Sequence, residues 1–223
     1  MKKRPFLLAS ALLAGCFVFF LALVVAVSSF MGQPTNLVIG DKIGIVEIYG
    51  VISDSKQVIE QLHDFRDNDS IKALVLRVDS PGGGVGPSQE IYDEVLALDE
   101  LKPVVVSMGS VAASGGYYVA AAAREIVANP GTITGSIGVI MEFANFQELL
   151  EKIGLSSVVV KSGAYKDIGS PTLDMSAAER EILQDLIDDV HNEFVSSVAE
   201  GRELDEQAVR SIADGRIFSG RRA

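Results

Sequence analysis

Apolar, β-branched segments alternate with helical patterns from residue 42 onward. The strand-type segments are "KIGIVEIYGVI" (42–52), "IKALVLRVDS" (71–80) and "KPVVVSMGS" (102–110). Apolar residues at helical spacing occupy 58–65 and 87–98 between them, and Pro87 suits the first turn of the second helix. Alternating units with mostly buried strands are typical of a sheet layered with helices, so the chain is predicted to adopt an α/β fold.

The second half continues this pattern less regularly. We predict an alanine-rich helix after Ser114, short strands at 124–129 and 136–143, a helix near 145–152 and a strand at 156–161. Ser176 and Glu179 form the capping box S-x-x-E, which predicts the start of a long helix. Its predicted apolar face consists of Ile182, Leu183, Leu186, Ile187, Val190, Phe194 and Val198. The ending "GRIFSGRRA" offers neither a capped helix nor a closing strand, so we expect the domain to be truncated there.

The N-terminus has the pattern of a membrane anchor. Residues 2–4 are basic, and the 26 residues from Phe6 to Met31 carry no charge, where a spanning helix needs about 20. The basic cluster favours a cytoplasmic N-terminus. We predict a basic cytoplasmic segment at 1–5, a transmembrane anchor at 6–31, a linker at 32–41 and an extracytoplasmic domain at 42–223.

Two alternatives for the N-terminus are a cleaved signal peptide and a lipoprotein, since "LAGC" (13–16) resembles a lipobox ending at Cys16. The apolar run "FVFFLALVVAVSSF" after Cys16 favours a retained anchor. Cys16 is the only cysteine, so no intramolecular disulfide can form. Beyond the basic cluster, 16 Lys and Arg stand against 30 Asp and Glu, and this charge of −14 argues against nucleic acid as a partner.

Two clusters of small residues follow predicted strands. "DSPGGGVGPSQE" (79–90) lacks the G-K-[ST] and G-x-G-x-x-G patterns of phosphate-binding loops. It is either a tight turn or a backbone that presents N–H groups to a ligand. In "AASGGYYVAAAA" (112–123), Ser114 is either the N-cap of a helix or a nucleophile, with two glycines that leave room for a substrate carbonyl.

A nucleophilic serine needs a base. His63 and His191 stand among acidic residues on helix faces that we predict to be solvated, which argues against a Ser-His-Asp triad. A lysine base needs its pKa lowered from about 10.4 to roughly 7–8, which an apolar site can achieve. Lys161 and Lys166 in "VVVKSGAYKDIGSPT" (158–172) are the candidates, and local reasoning does not choose between them. In "GTITGSIGV" (131–139), Ser136 is either part of a turn or a hydroxyl that orients the basic amine.

The segments "DSPGGG", "ASGGYY", "GTITGSIGV" and "KSGAYKDIGSP", in this order after an N-terminal anchor, resemble the bacterial signal peptide peptidase family from about residue 43 onward. The resemblance implies the ββα spiral of the Clp-protease/crotonase superfamily and a serine–lysine dyad. Ser114 then corresponds to the nucleophile, Lys166 to the general base and Ser136 to an accessory hydroxyl that contacts the lysine. Gly83 and the N–H of Gly115 correspond to the oxyanion hole.

The resemblance also implies peptide hydrolysis without a metal or other cofactor. A single serine-bearing unit matches the half-size members, which form homo-oligomeric rings with dyads shared between adjacent subunits. The expected substrates are remnant signal peptides and other small exported or membrane-released peptides, cleaved at the inner (plasma) membrane of a bacterium.

Three other functions are alternatives to peptide hydrolysis by a signal peptide peptidase. A stomatin-cleaving membrane protease of the same superfamily usually has further transmembrane segments after its protease domain. An acyl-CoA enzyme on the crotonase fold would have no supply of CoA outside the cytoplasm. A non-catalytic scaffold is disfavoured because Ser114 and Lys166 are both present.

Overall fold

The computed structural model describes residues 13–24 and 40–223. The chain divides into two compact units, Met1–Gly40 and Asp41–Ala223. In the first unit residues 13–24 are helical, and among the described residues no helix is both long and apolar enough to cross a membrane. Most of the anchor predicted at 6–31 and of the linker predicted at 32–41 lies outside the described residues.

The second unit contains six strands and six helices. In chain order they are β1 (Lys42–Tyr49), α1 (Lys56–Asp67), β2 (Ile71–Ser80), α2 (Val85–Leu101), β3 (Val104–Ala113), α3 (Gly115–Ala121), β4 (Glu125–Val127), β5 (Ile133–Gly135), α4 (Gln147–Lys152), α5 (Ala177–Gly201), α6 (Glu206–Arg210) and β6 (Ile217–Ser219).

One sheet contains all six strands. Its order is β1–β2–β3–β5–β6, and β4 also pairs with β3. All pairings are parallel except that of β6, which is antiparallel to β5. The predicted α/β fold is therefore confirmed. Because parallel strands end at the same edge of a sheet, the ends of β2, β3 and β5 at Ser80, Ala113 and Gly135 lie together.

The core lies between the sheet and helices α2, α3 and α5. Val78 of β2 and Val106 of β3 are fully buried in one cluster with Ile91 of α2. Helix α3 ends in Ala120 and Ala121, whose small side chains allow a close approach to α5. A Cβ placed on Gly201 of α5 would lie 2.2 Å from the carbonyl oxygen of Ala121.

Helix α5 begins with the predicted capping box, in which the Ser176 hydroxyl accepts from the Glu179 N–H and the Glu179 carboxylate accepts from the Ser176 N–H. Only the second half of its predicted apolar face is buried. Phe194 and Val198 belong to the core, whereas Ile182 and Leu186 are 41% and 46% exposed. At 25 residues the helix is about 37 Å long, so its first half leaves the packed part of the domain.

The strands predicted at 136–143 and 156–161 are not found in the structure. The strand at this position is β5, which ends before Ser136, where a φ of 55° turns the backbone out of the sheet. Val158 and Val160 are 85% and 95% exposed. An apolar, β-branched segment forms a strand only where a neighbouring strand offers it a ladder. The expectation of no closing strand in "GRIFSGRRA" was also wrong, because Ile217–Ser219 pairs with β5.

Candidate active site

Ser114 connects β3 to α3 in a strained backbone conformation. Its φ is 51° and its ψ is −124°, a region that residues other than glycine rarely occupy. The N–H of Ser114 donates to the Gly135 carbonyl at 2.8 Å, and its own carbonyl accepts from Tyr118 N at 2.8 Å. Its side chain caps no helix N–H. Ser114 thus holds the N-cap position without the usual capping bond, which leaves its hydroxyl available for other chemistry.

The glycine run after β2 touches the backbone around Ser114. Gly82 has a φ of 99°, and a Cβ there would lie 2.6 Å from the nitrogen of Gly115 and 2.9 Å from Ser114 Cβ. At Gly83 a Cβ would lie 2.1 Å from the carbonyl oxygen of Ile52. Glycine is therefore required at both positions, because only a backbone without side chains fits this close to the serine.

Among the described residues, the N–H groups of Gly83 and Gly115 have no hydrogen-bond acceptor. Ile52 N donates to the Gly82 carbonyl at 3.0 Å, and Gly84 N donates to the Ile52 carbonyl at 2.8 Å. These bonds flank Gly83, so its own N–H makes none. In the described part of the chain Gly115 N–H donates no hydrogen bond either. A Cβ on Gly115 would lie only 3.2 Å from the nitrogen of Gly83, so the two donors are neighbours.

Ser136 lies near Ser114 because β5 pairs with β3 and two threonine hydroxyls of β5 bond to the backbone of β3. The hydroxyls of Thr132 and Thr134 donate to the carbonyls of Gly109 and Ala112 at 2.8 and 2.7 Å. Ser136 follows β5 with a φ of 55°, and its N–H donates to the Arg216 carbonyl at 2.8 Å. Two strained serines thus stand at the ends of adjacent strands.

A cleft of about 490 Å³ is lined by four of the five site residues that the family resemblance implies, namely Gly83, Ser114, Gly115 and Ser136. The fifth is Lys166. Its other walls include apolar residues of the segment after Ser136 and a face of α5. In the described part of the chain, no lysine or arginine lines this cleft. The structure therefore assembles the serine, the second hydroxyl and both N–H donors, but not the base.

Lys166 is exposed and does not line the cleft of its own chain. Its backbone N–H donates to the Gly163 carbonyl at 3.2 Å. Lys161, the alternative base, is occupied: its ammonium pairs with Asp167 and donates to the Ala164 carbonyl at 2.7 Å. The hydrogen bond from Lys161 lowers the pKa of the Asp167 carboxyl. The side chain of Lys161 is thus engaged within its own loop by Asp167 and Ala164.

His191 belongs to the cleft, which sequence reasoning missed. We predicted a solvated helix face, but the side chain is half-buried and its Nε2 is fully buried with no hydrogen-bond partner. A signal was present, since His191 stands three residues before Phe194, on the same side of the helix. His63 is also partly buried, with a side chain that is 40% exposed and its Nε2 2.9 Å from Glu94.

Tyrosines fix α5 against the helix that follows Ser114. The Tyr118 hydroxyl lies 2.7 Å from Ser197 Oγ, and Tyr92 donates to the Ser197 carbonyl at 2.8 Å. The rings of Tyr118 and Phe194 are 4.6 Å apart. Burial raises the pKa of the Tyr118 phenol and raises that of Tyr92 to about 12, so both phenols are neutral. The α5 wall of the cleft is thereby held in place.

Within residues 13–24 and 40–223, no three His, Cys, Asp or Glu side chains lie close enough together to hold a metal ion.

Two protein-family models together match the whole second unit. The model of peptidase family S49 matches residues 97–223, and that of Clp protease matches residues 41–132. "Putative protease slr0021" of Synechocystis sp. is 48% identical over 184 residues, covering 82% of this chain and 66% of its own length. "Putative signal peptide peptidase SppA" of Enterococcus faecium is 37% identical, covering 82% and 57%. "Serine protease SPPA, chloroplastic" of Arabidopsis thaliana is 34% identical, covering 82% and 29%. The chain thus spans about two thirds or less of these relatives.

Proposed function

Because this chain belongs to peptidase family S49, as the four sequence segments predicted, we propose that it is a serine endopeptidase with Ser114 as its nucleophile. The observation that carries the proposal is that a strained serine, whose hydroxyl caps nothing, lines one cleft with Gly83 and Gly115, whose N–H groups have no acceptor among the described residues. Such donors stabilise the oxyanion that forms when a serine attacks a carbonyl.

The reaction proposed is acyl transfer. Ser114 Oγ attacks the carbonyl carbon of the scissile bond while the neutral amine of Lys166 accepts the hydroxyl proton. The N–H groups of Gly83 and Gly115 hold the oxyanion, and Lys166 then donates its proton to the leaving amine. Water attacks the acyl-enzyme in the same manner and regenerates the serine. The Ser136 hydroxyl orients the amine of Lys166.

The dyad is proposed to form between two subunits. Lys166 does not line the cleft of its own chain, so a neighbouring copy would have to supply the amine. The segment 140–160, which precedes Lys166 in the chain, also exposes large apolar side chains, among them Ile140 at 87% and Val160 at 95%. Exposed apolar side chains are often covered by another protein chain, which supports a homo-oligomeric ring.

The proposed location is the inner membrane, with the peptidase domain outside the cytoplasm. Support comes from the uncharged segment 6–31, of which residues 13–24 form a helix with exposed apolar side chains. An enzyme there would meet cleaved signal peptides and other small exported peptides, which we propose as substrates. The stomatin-type membrane protease is the alternative within the same chemistry.

The test combines a serine-reactive fluorophosphonate label with peptide cleavage. Ser114→Ala should abolish labelling and cleavage, and Lys166→Ala should reduce both at least 100-fold, because general-base catalysis contributes about 10²–10⁴-fold. Lys161→Ala is the matched control and should retain most activity, since its ammonium is tied to Asp167. Labelling of Ser114→Ala at the wild-type rate would disprove the proposed nucleophile. Loss of cleavage in Lys161→Ala with retention in Lys166→Ala would reverse the choice of base.

A further inference from the structure

Strand β3 is irregular shortly before it reaches the proposed nucleophile. In the pairing of β2 with β3, Val78 lies opposite Met108. Two residues later in β2, Ser80 lies opposite Ala112, which is four residues later in β3. Residues 109–111 therefore form a bulge in β3. A bulge bends its strand, and next to an active site it redirects the side chains that follow.

The bulge is also the point at which β3 changes its neighbour. Before the bulge, residues 105–107 pair with β4, and residues 111–113 pair with β5. The bend thus directs the end of β3 towards the strand that holds Ser114, whose N–H donates to the Gly135 carbonyl at 2.8 Å. A change in the bulge would therefore be transmitted to Ser114 through very few residues.

Side chains of both neighbouring strands bond to the backbone of the bulge. From β5 the Thr132 hydroxyl donates to the Gly109 carbonyl at 2.8 Å. From β2 the Asp79 carboxylate accepts the N–H of Val111 at 3.1 Å. Because a bulge disrupts the regular ladder, backbone groups within it need partners of this kind. Asp79 supplies the acceptor on the β2 side.

The position of Asp79 connects the two backbone segments of the site. It is the residue of β2 between the two positions that pair with β3 on either side of the bulge. A Cβ on Gly109 would lie 2.5 Å from Asp79 Oδ2, so a side chain there would displace the carboxylate. Asp79 is followed at once by the turn that leads to Gly82 and Gly83. One residue thus belongs to the glycine segment and bonds to the segment that carries Ser114.

We propose that Asp79 is a positioning residue, whose carboxylate holds the bulge of β3 and thereby sets the place of the Ser114 hydroxyl relative to the N–H of Gly83. The inference rests on the proposed peptidase function and adds a residue that acts on Ser114 through the backbone. A misplacement of about 1 Å at a reacting group can cost about 10²-fold in rate. Loss of the carboxylate should therefore lower kcat. It should leave KM unchanged, because Asp79 does not line the cleft.

The experiment compares Asp79→Leu with Asp79→Asn in the full-length protein. Leucine fills similar space without an acceptor, whereas asparagine keeps an acceptor oxygen. The probe is an N-acetylated tripeptide with a fluorogenic amide, and kcat is divided by the number of sites that a fluorophosphonate labels at completion. We expect Asp79→Leu to lower this kcat about 10–100-fold with KM within about twofold of the wild type. Asp79→Asn should stay within about threefold in both constants.

Asp99→Leu is the matched control. The Asp99 carboxylate accepts the N–H of Val104 at 2.7 Å, so this variant loses the same kind of bond at the opposite end of β3. That end lies about 30 Å along the strand from Ser114. Its kcat per labelled site should equal that of the wild type, even where the protein is less stable.

Hydrogen exchange of residues 109–118 provides a second measurement that does not depend on activity. Exchange in this segment should be faster in Asp79→Leu than in the wild type and should return to the wild-type rate in Asp79→Asn. Should Asp79→Leu fail to fold, Asp79→Ala takes its place under the same criteria.

Four results would overturn the proposal. They are a wild-type kcat per labelled site in Asp79→Leu, an equal fall of kcat in Asp99→Leu, an Asp79→Asn variant as slow as Asp79→Leu, and unchanged exchange of residues 109–118. An equal fall in Asp99→Leu would show that any loosening of β3 has the same effect. Cleavage that persists in Ser114→Ala would instead refute the proposed function, while the exchange result would still report on the bulge.

Discussion

At Ser114, the strained backbone conformation and the positions of the neighbouring glycine N–H groups are set by the same contacts. The strained φ of 51° is accommodated because Gly82, Gly83 and Gly115 leave space for the chain to turn. A strain of this kind costs of order 1–3 kcal/mol and persists only where surrounding contacts impose it. Here the contacts include a hydrogen bond to β5 and the glycine backbone after β2. The same contacts that create the strain also place two N–H donors beside the hydroxyl.

Substitution of Gly83 tests the role of its N–H. In Gly83→Ala the new Cβ would overlap the Ile52 carbonyl, at 2.1 Å, and must displace the N–H from its place. We expect kcat to fall about 10²–10³-fold, the usual effect of losing one oxyanion donor. The measurement is steady-state peptide hydrolysis, with circular dichroism to verify folding.

Gly86→Ala is the matched control, because a Cβ at Gly86 in α2 meets no atom within 4 Å. Its kcat should equal that of the wild type. A folded Gly83→Ala protein with wild-type kcat would exclude Gly83 from the oxyanion hole.

At the scale of elements, the tyrosine contacts join α2, α3 and α5 into one support for the cleft. Tyr92 and Tyr118 meet at Ser197 through two hydrogen bonds, and their rings are 5.2 Å apart. Both phenols are buried and neutral. Their ionisation would therefore place a charge inside the packed domain, which links the stability of the support to pH.

Stability should decrease at alkaline pH because of Tyr92. Burial raises its pKa from 10.0 to about 12, so the unfolded chain loses this proton first. The stabilising contribution is complete below pH 10 and is lost as pH rises from 10 to 12. Urea unfolding at a series of pH values should show this decline, and Tyr92→Phe should make the slope smaller. An identical slope in Tyr92→Phe would contradict a buried, neutral phenol at this position.

The sequence predicted those elements whose signal is local. Strands β1 to β3, helices α1 and α2 and the capped start of α5 follow directly from periodicity, turn residues and the capping box. The strands predicted at 136–143 and 156–161 were wrong because a strand needs a pairing partner, which apolar composition does not provide. The partial burial of His191 was missed because burial of one helix face depends on what packs there.

The sequence likewise predicted part of the candidate site, namely the residues that line the cleft, but not which lysine would serve it. The family resemblance selected Ser114, Ser136, Gly83 and Gly115, which the structure brings to one cleft. Local reasoning left Lys161 and Lys166 open, because sequence spacing does not report that Lys161 is paired with Asp167. The contribution of Lys166 remains a prediction, since its amine does not reach the cleft of its own chain.

At the scale of the whole molecule, the proposed dyad between subunits would account for both the exposed apolar side chains and the absence of Lys166 from the cleft of its own chain. The segment 140–160 carries Ile140, Val158 and Val160, all at least 85% exposed. Burial of this surface against a second copy would stabilise an oligomer by roughly 25 cal/mol for each Å² of apolar area. The same contact would bring the loop of Lys166 to the cleft of the neighbour. A chain on its own would then be inactive.

Co-expression of Ser114→Ala with Lys166→Ala tests the shared dyad most directly. Each variant alone should be inactive, because every site lacks either its hydroxyl or its amine. In mixed oligomers a site can take Ser114 from one variant and Lys166 from the other. Random mixing should then restore about a quarter of the wild-type peptidase activity. Mixed oligomers with no activity above that of the separate variants would contradict a dyad formed between subunits.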